Sequence, residues 1–183
     1  MLCAYGLLNS GDIVQLTKKE RKIKYLTYCG IIALFSLIQN VGGLWFEIGR
    51  ARCFFLVPLC VFFSIGEDEK NAALLGLFAG VIWDAVAANH TAFNAVFLTA
   101  VCYIVSVMIT HLFRDTYWVG IVMGCVATFV YCVLYWLLFV GINKDGATAV
   151  LFKFYFPSFL YTSTVSLLLN IFVIKIRAKL NKE

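Results

Sequence analysis

The chain has 183 residues, 62% of them hydrophobic and only 14% charged, with a mean hydropathy of +0.90. Soluble domains are about 45–50% apolar and about 25% charged, and a fold this small cannot hide so much apolar surface from water, so the composition excludes an ordinary soluble domain and points to a lipid bilayer. The net charge of +5 does not indicate nucleic acid, because the basic residues cluster at the two ends of the chain beside apolar runs, as topology signals and contacts to anionic membrane lipids do.

Segment 1–24 reads as a cytoplasmic N-terminal stretch, partly surface-lying. Its apolar stretches are broken by Asn9, Gly11 and Asp12 and precede the basic run, the reverse of a cleavable signal peptide. Six apolar runs follow, at 25–46, 53–66, 72–88, 91–113, 117–140 and 154–174, the second of them short. A crossing helix needs roughly 20 residues, and membrane β-strands would alternate apolar with polar, whereas these runs are continuously apolar. The expectation is an all-α integral membrane protein with about six transmembrane helices in one bundle over 25–175. A basic cytoplasmic tail, 176–183, follows it.

Orientation follows from lysine and arginine. With six spans, eleven basic residues fall on the side of both termini, against Arg50, Arg52, Lys144 and Lys153 on the other. Both termini are therefore expected in the cytoplasm. The seven cysteines include no C-x-x-C and lie mostly inside apolar runs, where cysteine acts as a small hydrophobe.

Within the third run, Ala72, Gly76, Gly80, Asp84 and Ala88 recur every four residues. On a helix they form one stripe, small enough for another backbone to approach closely. Gly120, Gly124 and Thr128 repeat the pattern in the fifth run, making these two helices candidates for close contact with each other or with a partner. A carboxylate facing lipid is costly, so Asp84 is expected to face protein or water. It reads as a hydrogen-bonding clamp, the alternative being a substrate, ion or proton site; as a clamp it should tolerate Asp84→Asn. Gln39, Asn40, Asn94, Ser106 and the Thr162–Asn170 face suit interhelical hydrogen bonds, with a lined ligand pocket as the alternative. Pro157 and Ser158 mark the start of the last helix. His90 and His111 share no ligand spacing with Cys, Asp or Glu, and no hydrolase, metalloprotease or phosphate-loop motif occurs. Neither an enzyme, a metal nor a cofactor is expected. Many of the thirteen tyrosines and tryptophans lie near the ends of the runs, as interfacial anchors would.

The stretch IGRARCFFLVPLCVFF, the stretch GLFAGVIWDAVAANHTAFNAVFLTAVCYIV and the ending FPSFLYTSTVSLLLNIF together resemble the bacterial rod-shape-determining MreD family. The resemblance rests on Gly76, Gly80, Asp84, Asn94 and Ala95 standing in register, on Arg52 in the approach to the second segment, and on the Pro157-Ser158 start. It departs at Ala92, where the family usually has glycine. The resemblance implies a non-catalytic, multi-pass protein of the bacterial cytoplasmic membrane. It implies association with MreC, and through MreC with MreB, RodA and a class B penicillin-binding transpeptidase in the cell-elongation complex that positions peptidoglycan synthesis. It also implies a fold similar to the substrate-binding S component of energy-coupling-factor transporters, which supplies an alternative function in vitamin uptake.

Overall fold

The computed structural model describes residues 18–40, 47–48, 51–87, 91–111, 117–141 and 147–180. Residues 1–17 of the N-terminal stretch, and with them its surface-lying reading, lie outside these residues.

Helix α1 (Lys18–Asn40) is followed by a hairpin of two-residue strands, β1 (Glu47–Ile48) and β2 (Ala51–Arg52), paired antiparallel with Glu47 opposite Arg52. Then come α2 (Leu56–Ser64), α3 (Glu69–Val86), α4 (Phe93–His111) and α5 (Tyr117–Trp136). Helix α5 runs on into a π-helical turn, Leu137–Gly141. A four-residue α6 (Ala147–Val150) leads through a second π turn, Leu151–Tyr155, into α7 (Phe156–Leu180). The described residues are thus nearly all helical, as expected, with one hairpin of two-residue strands beside the helices. The six apolar runs correspond to α1, α2, α3, α4, α5 and α7.

Length separates these helices. Among the described residues, three segments are long and apolar enough to cross a membrane: Phe93–His111, Trp118–Gly141 and Thr148–Lys179. Helix α3 has only 18 residues and carries Glu69, Lys70 and Asp84, and α1 opens on KKERKIK. Helix α2 has nine residues, about 14 Å of rise against a hydrocarbon core of about 30 Å.

Helix α2 is the centre of the bundle. Every one of its residues is buried, and α1, α3, α4, α5 and α7 all pack against it. Pro58 sits in its first turn, where a missing N–H costs nothing. Gly66, at φ +78°, ends it in the left-handed conformation that glycine alone adopts cheaply.

A short helix preceded by extended chain leaves many backbone groups without partners of their own. Neighbouring helices supply these partners. The N–H of Arg52 donates to Ser158 Oγ (3.0 Å), that of Phe54 to Thr162 Oγ1 (3.0 Å) and that of Leu56 to Gln39 Oε1 (3.0 Å). Ser158 and Thr162 stand one helical turn apart, about 6 Å, which matches the spacing of alternate residues on an extended chain. At the other end, Arg177 Nη2 donates to the carbonyls of Phe62 (2.6 Å) and Phe63 (3.3 Å), placing a cation on the negative end of α2. Replacing Thr162 by valine should therefore orphan a buried N–H and cost about 1–2 kcal/mol. Ser163→Ala, which removes a buried hydroxyl that makes no hydrogen bond, should cost almost nothing; chemical or thermal unfolding of the two variants checks this.

Pro157 is in the first turn of α7, but helical backbone continues upstream of it to Ala147. The expected start signal thus stands at the start of α7, where it coincides with a change of helical register. A proline ring crowds the carbonyl four residues earlier, and the π turn Leu151–Tyr155 opens the backbone just there.

Candidate functional site: a carboxylate clamp and its surroundings

Helix α4 begins without a cap of its own. Ala92 occupies the capping position, its carbonyl accepting from the N–H of Val96 (3.1 Å), and alanine has no side-chain oxygen to offer the free N–H groups of the first turn. Asp84 of α3 provides it from across the helix pair. One carboxylate oxygen accepts from the backbone N–H of Ala95 (2.9 Å), and the other from Asn94 Nδ2 (2.8 Å). Asn94 Oδ1 in turn accepts from Tyr131 Oη on α5 (2.9 Å). Asp84 is 8% exposed and Asn94 1%. A buried carboxylate is tolerated where hydrogen bonds and a helix N-terminus replace its water, and Asp84 has both.

The glycine stripe explains how Asp84 reaches so far. A methyl group on Gly76 would stand 2.5 Å from the Leu98 carbonyl oxygen, and one on Gly80 2.6 Å from both Asn94 O and Ala95 N. The two backbones therefore touch, and α3 with α4 forms the most extensive helix contact among the described residues. The second stripe lies elsewhere. Gly120 faces Ile65 and Asn170, and Gly124 faces the Phe62 ring. The α3 stripe meets α4, while the α5 stripe meets α2 and α7.

The structure thus joins Gly76, Gly80, Asp84, Asn94 and Ala95 in one contact, and Arg52 with Ser158 in another. Tyr131 is the member that sequence reading missed. It lies in the body of α5, 2% exposed, stacked on Trp83 with centroids 5.3 Å apart, and is part of the hydrogen-bond network. Its distance from either end of an apolar run was the available signal.

A second polar cluster lies at the opposite end of the bundle. Glu67 pairs with Lys24 Nζ at 2.5 Å and accepts from Tyr25 Oη at 2.9 Å. The Glu67 carbonyl accepts from Ser106 Oγ at 2.7 Å. The ion pair is mostly buried, with side chains 14% and 6% exposed. Lys24→Met should cost about 2 kcal/mol by stranding the carboxylate. Adding Glu67→Gln to that variant should recover part of the loss, which a double-mutant cycle on unfolding measures.

Among the described residues no group of three His, Cys, Asp or Glu side chains is close enough to hold a metal ion. The polar groups described above hydrogen-bond between helices. The family model for the rod shape-determining protein MreD matches residues 20–180. The chain belongs to the MreD family. No curated protein and no solved structure matches it. Membership makes this a membrane protein of the rod-shape machinery. The family match covers α1 almost entire, all of the clamp, and α7 to its last residue.

Proposed function

We propose that this MreD-family chain is a non-catalytic, multi-pass component of the cell-elongation complex in the bacterial cytoplasmic membrane. It contacts MreC through helix faces and so helps position RodA, a class B penicillin-binding transpeptidase and MreB around peptidoglycan synthesis. The family match over residues 20–180 carries this reading. Two features of the molecule support it. Polar side chains are spent on holding helices together, as at Asp84 and Arg177. The outer faces carry exposed Leu74, Phe78 and Val81 on α3 and Val122, Val126 and Phe129 on α5, which suit lipid or a partner helix.

All six apolar runs lie in the membrane on this reading, the second as a half-length helix enclosed by the others. Non-helical backbone at membrane depth is tolerable when protein surrounds it. Helix α1 starts, and α7 ends, at the end of the bundle that holds Glu67, and the basic residues concentrated there put that end in the cytoplasm. A reporter fused at Glu183 should read cytoplasmic. Depletion in a rod-shaped host should give round cells, and MreC should co-purify with the chain. Rod shape retained on depletion, or recovery with a transporter ATPase in place of MreC, would overturn the proposal.

A further inference from the structure

Helix α4 packs one side on α2, α3 and α5 and turns the other outward. Val96 is 70% and Tyr103 47% exposed, Ala100 and Thr110 are exposed with them, and Val107 is partly so. Val96, Ala100, Tyr103, Val107 and Thr110 follow one another at steps of 4, 3, 4 and 3 residues, the 3.5-residue repeat of a left-handed helix pair. Ala100 stands beside Tyr103 in this seam and leaves room for a second backbone.

The apolar members of the seam are satisfied by lipid, but Tyr103 is not. It stands ten residues after Phe93 and eight before His111, about 15 and about 12 Å along the helix axis. Its hydroxyl therefore lies inside the hydrocarbon core when α4 crosses the membrane. A tyrosine side chain is shorter than either distance, so it cannot snorkel to the headgroups. The threonines of the same helix turn back on their own main chain: Thr99 Oγ1 donates to the Ala95 carbonyl (2.6 Å) and Thr110 Oγ1 to the Ser106 carbonyl (2.9 Å). A phenol hydroxyl stands too far from the main chain to do this, and that of Tyr103 has no hydrogen-bond partner among the described residues. A hydroxyl without a partner in hydrocarbon is unfavourable. Whatever covers this face has to bring a hydrogen-bonding group to mid-depth.

We propose that the outward face of α4 is the contact surface of a homodimer, in which the seams of two copies pack in parallel and their Tyr103 hydroxyls bond to each other. Two copies inserted the same way are related by a two-fold axis along the membrane normal, so each seam residue meets itself at its own depth. A phenol both donates and accepts, so one Tyr103 satisfies the other. A helix of another protein would need a polar residue set at that depth by its own sequence, whereas a second copy always carries one. Helix α4 contains no Lys, Arg, Asp or Glu, and at its cytoplasmic end His111 lies 3.4 Å from Glu69. The two copies therefore meet without a cluster of like charges. The exposed faces of α3 and α5 stay outside this contact.

The proposal rests on α4 crossing the membrane, and the test reads that separately. With wild-type labelling subtracted, Thr91→Cys should react with a membrane-impermeant maleimide in intact cells and His111→Cys should not. Any other pattern removes the mid-depth position of Tyr103 and the proposal with it. Self-association is read by energy transfer between full chains labelled at Glu183, in vesicles of phosphatidylethanolamine and phosphatidylglycerol over a range of dilutions. Transfer should exceed that of random encounter and fall when unlabelled chain is added. Tyr103→Phe, which removes only the hydroxyl, should raise the dissociation constant about threefold to tenfold without lowering the unfolding temperature. Ala100→Leu should raise it at least as far, by holding the backbones apart. A benzophenone amino acid at Val107, illuminated in cell membranes, should give a product of twice the chain's mass, and one at Val126 on α5 should not. A chain that spans as stated but stays monomeric at every dilution would overturn the proposal. So would affinity unchanged in both variants, a Val107 product with a different protein or with lipid alone, or an equal dimer product from Val126.

Discussion

Asp84→Leu should be the most damaging single change in the bundle, whereas Asp84→Asn should cost little. Leucine would leave the Ala95 N–H and the Asn94 amide buried without an acceptor, where Asp84 now holds them at 2.9 and 2.8 Å. Each orphaned buried donor costs about 1–3 kcal/mol, so the expected loss is about 4 kcal/mol. The introduced amide of Asp84→Asn can still accept from Ala95 through its oxygen. Its nitrogen then needs an acceptor, and Asn94 can supply one by turning its own amide over. Tyr131 Oη, now a donor to Asn94, would become an acceptor. The chain of hydrogen bonds reverses and stays complete, at the cost of the charge on the α4 N-terminus, about 1 kcal/mol. Unfolding of the purified variants measures both values. Rod shape restored by Asp84→Asn but not by Asp84→Leu would assign the residue to structure. Loss of shape in Asp84→Asn at normal membrane level would assign it a role in chemistry.

Gly80→Ala should lower stability by about 3 kcal/mol, although alanine is the better helix former. The added methyl would meet backbone atoms of α4, Asn94 O and Ala95 N, at 2.6 Å. A flexible side chain could give way, but a helix backbone cannot, so α3 must move outward and draw Asp84 off the α4 N-terminus. Gly30→Ala is the control: nothing lies within 4 Å of a methyl group there, and relief of glycine's backbone entropy should add about 0.5–1 kcal/mol. Equal unfolding temperatures for Gly80→Ala and Gly30→Ala would refute the close approach. Gly80→Ala should also reduce any signal that depends on the Tyr131 hydroxyl, since the network is anchored through Asp84.

Asp84 and its glycines were legible in the sequence because period-four spacing on a helix is a local property, and a carboxylate inside an apolar run must be satisfied by something. The recipient was less legible: both small stripes read alike, and only the fold assigns one to α4 and the other to α2. The six runs forecast six helices but not their depth. The run at 53–66 reads as merely short, Gln39 and Thr162 read as generic interhelical glue, and Ser158 reads as part of a helix start. Their partners are main-chain N–H groups, which carry no sequence signature of their own. Glu67 stands in the acidic stretch GEDEK between two apolar runs, with nothing local to mark it as buried, because its partners Lys24 and Tyr25 lie some forty residues earlier. Tyr131 was hidden by its residue type, because tyrosine at a membrane boundary is the commoner case.

The side chains that complete α2 lie far away along the chain. Ser158, Thr162 and Arg177 are 106, 108 and 115 residues beyond the groups they satisfy. During synthesis the central helix therefore exists for most of the chain's emergence without the partners that make its depth affordable. It cannot take its final position as an independent insertion event, and α7 has to arrive before the middle of the molecule can close. Biogenesis of this protein thus ends where its architecture begins, with the last helix docking over the short one. A chain cut before residue 158 should remain as loosely associated hairpins, however apolar each of them is.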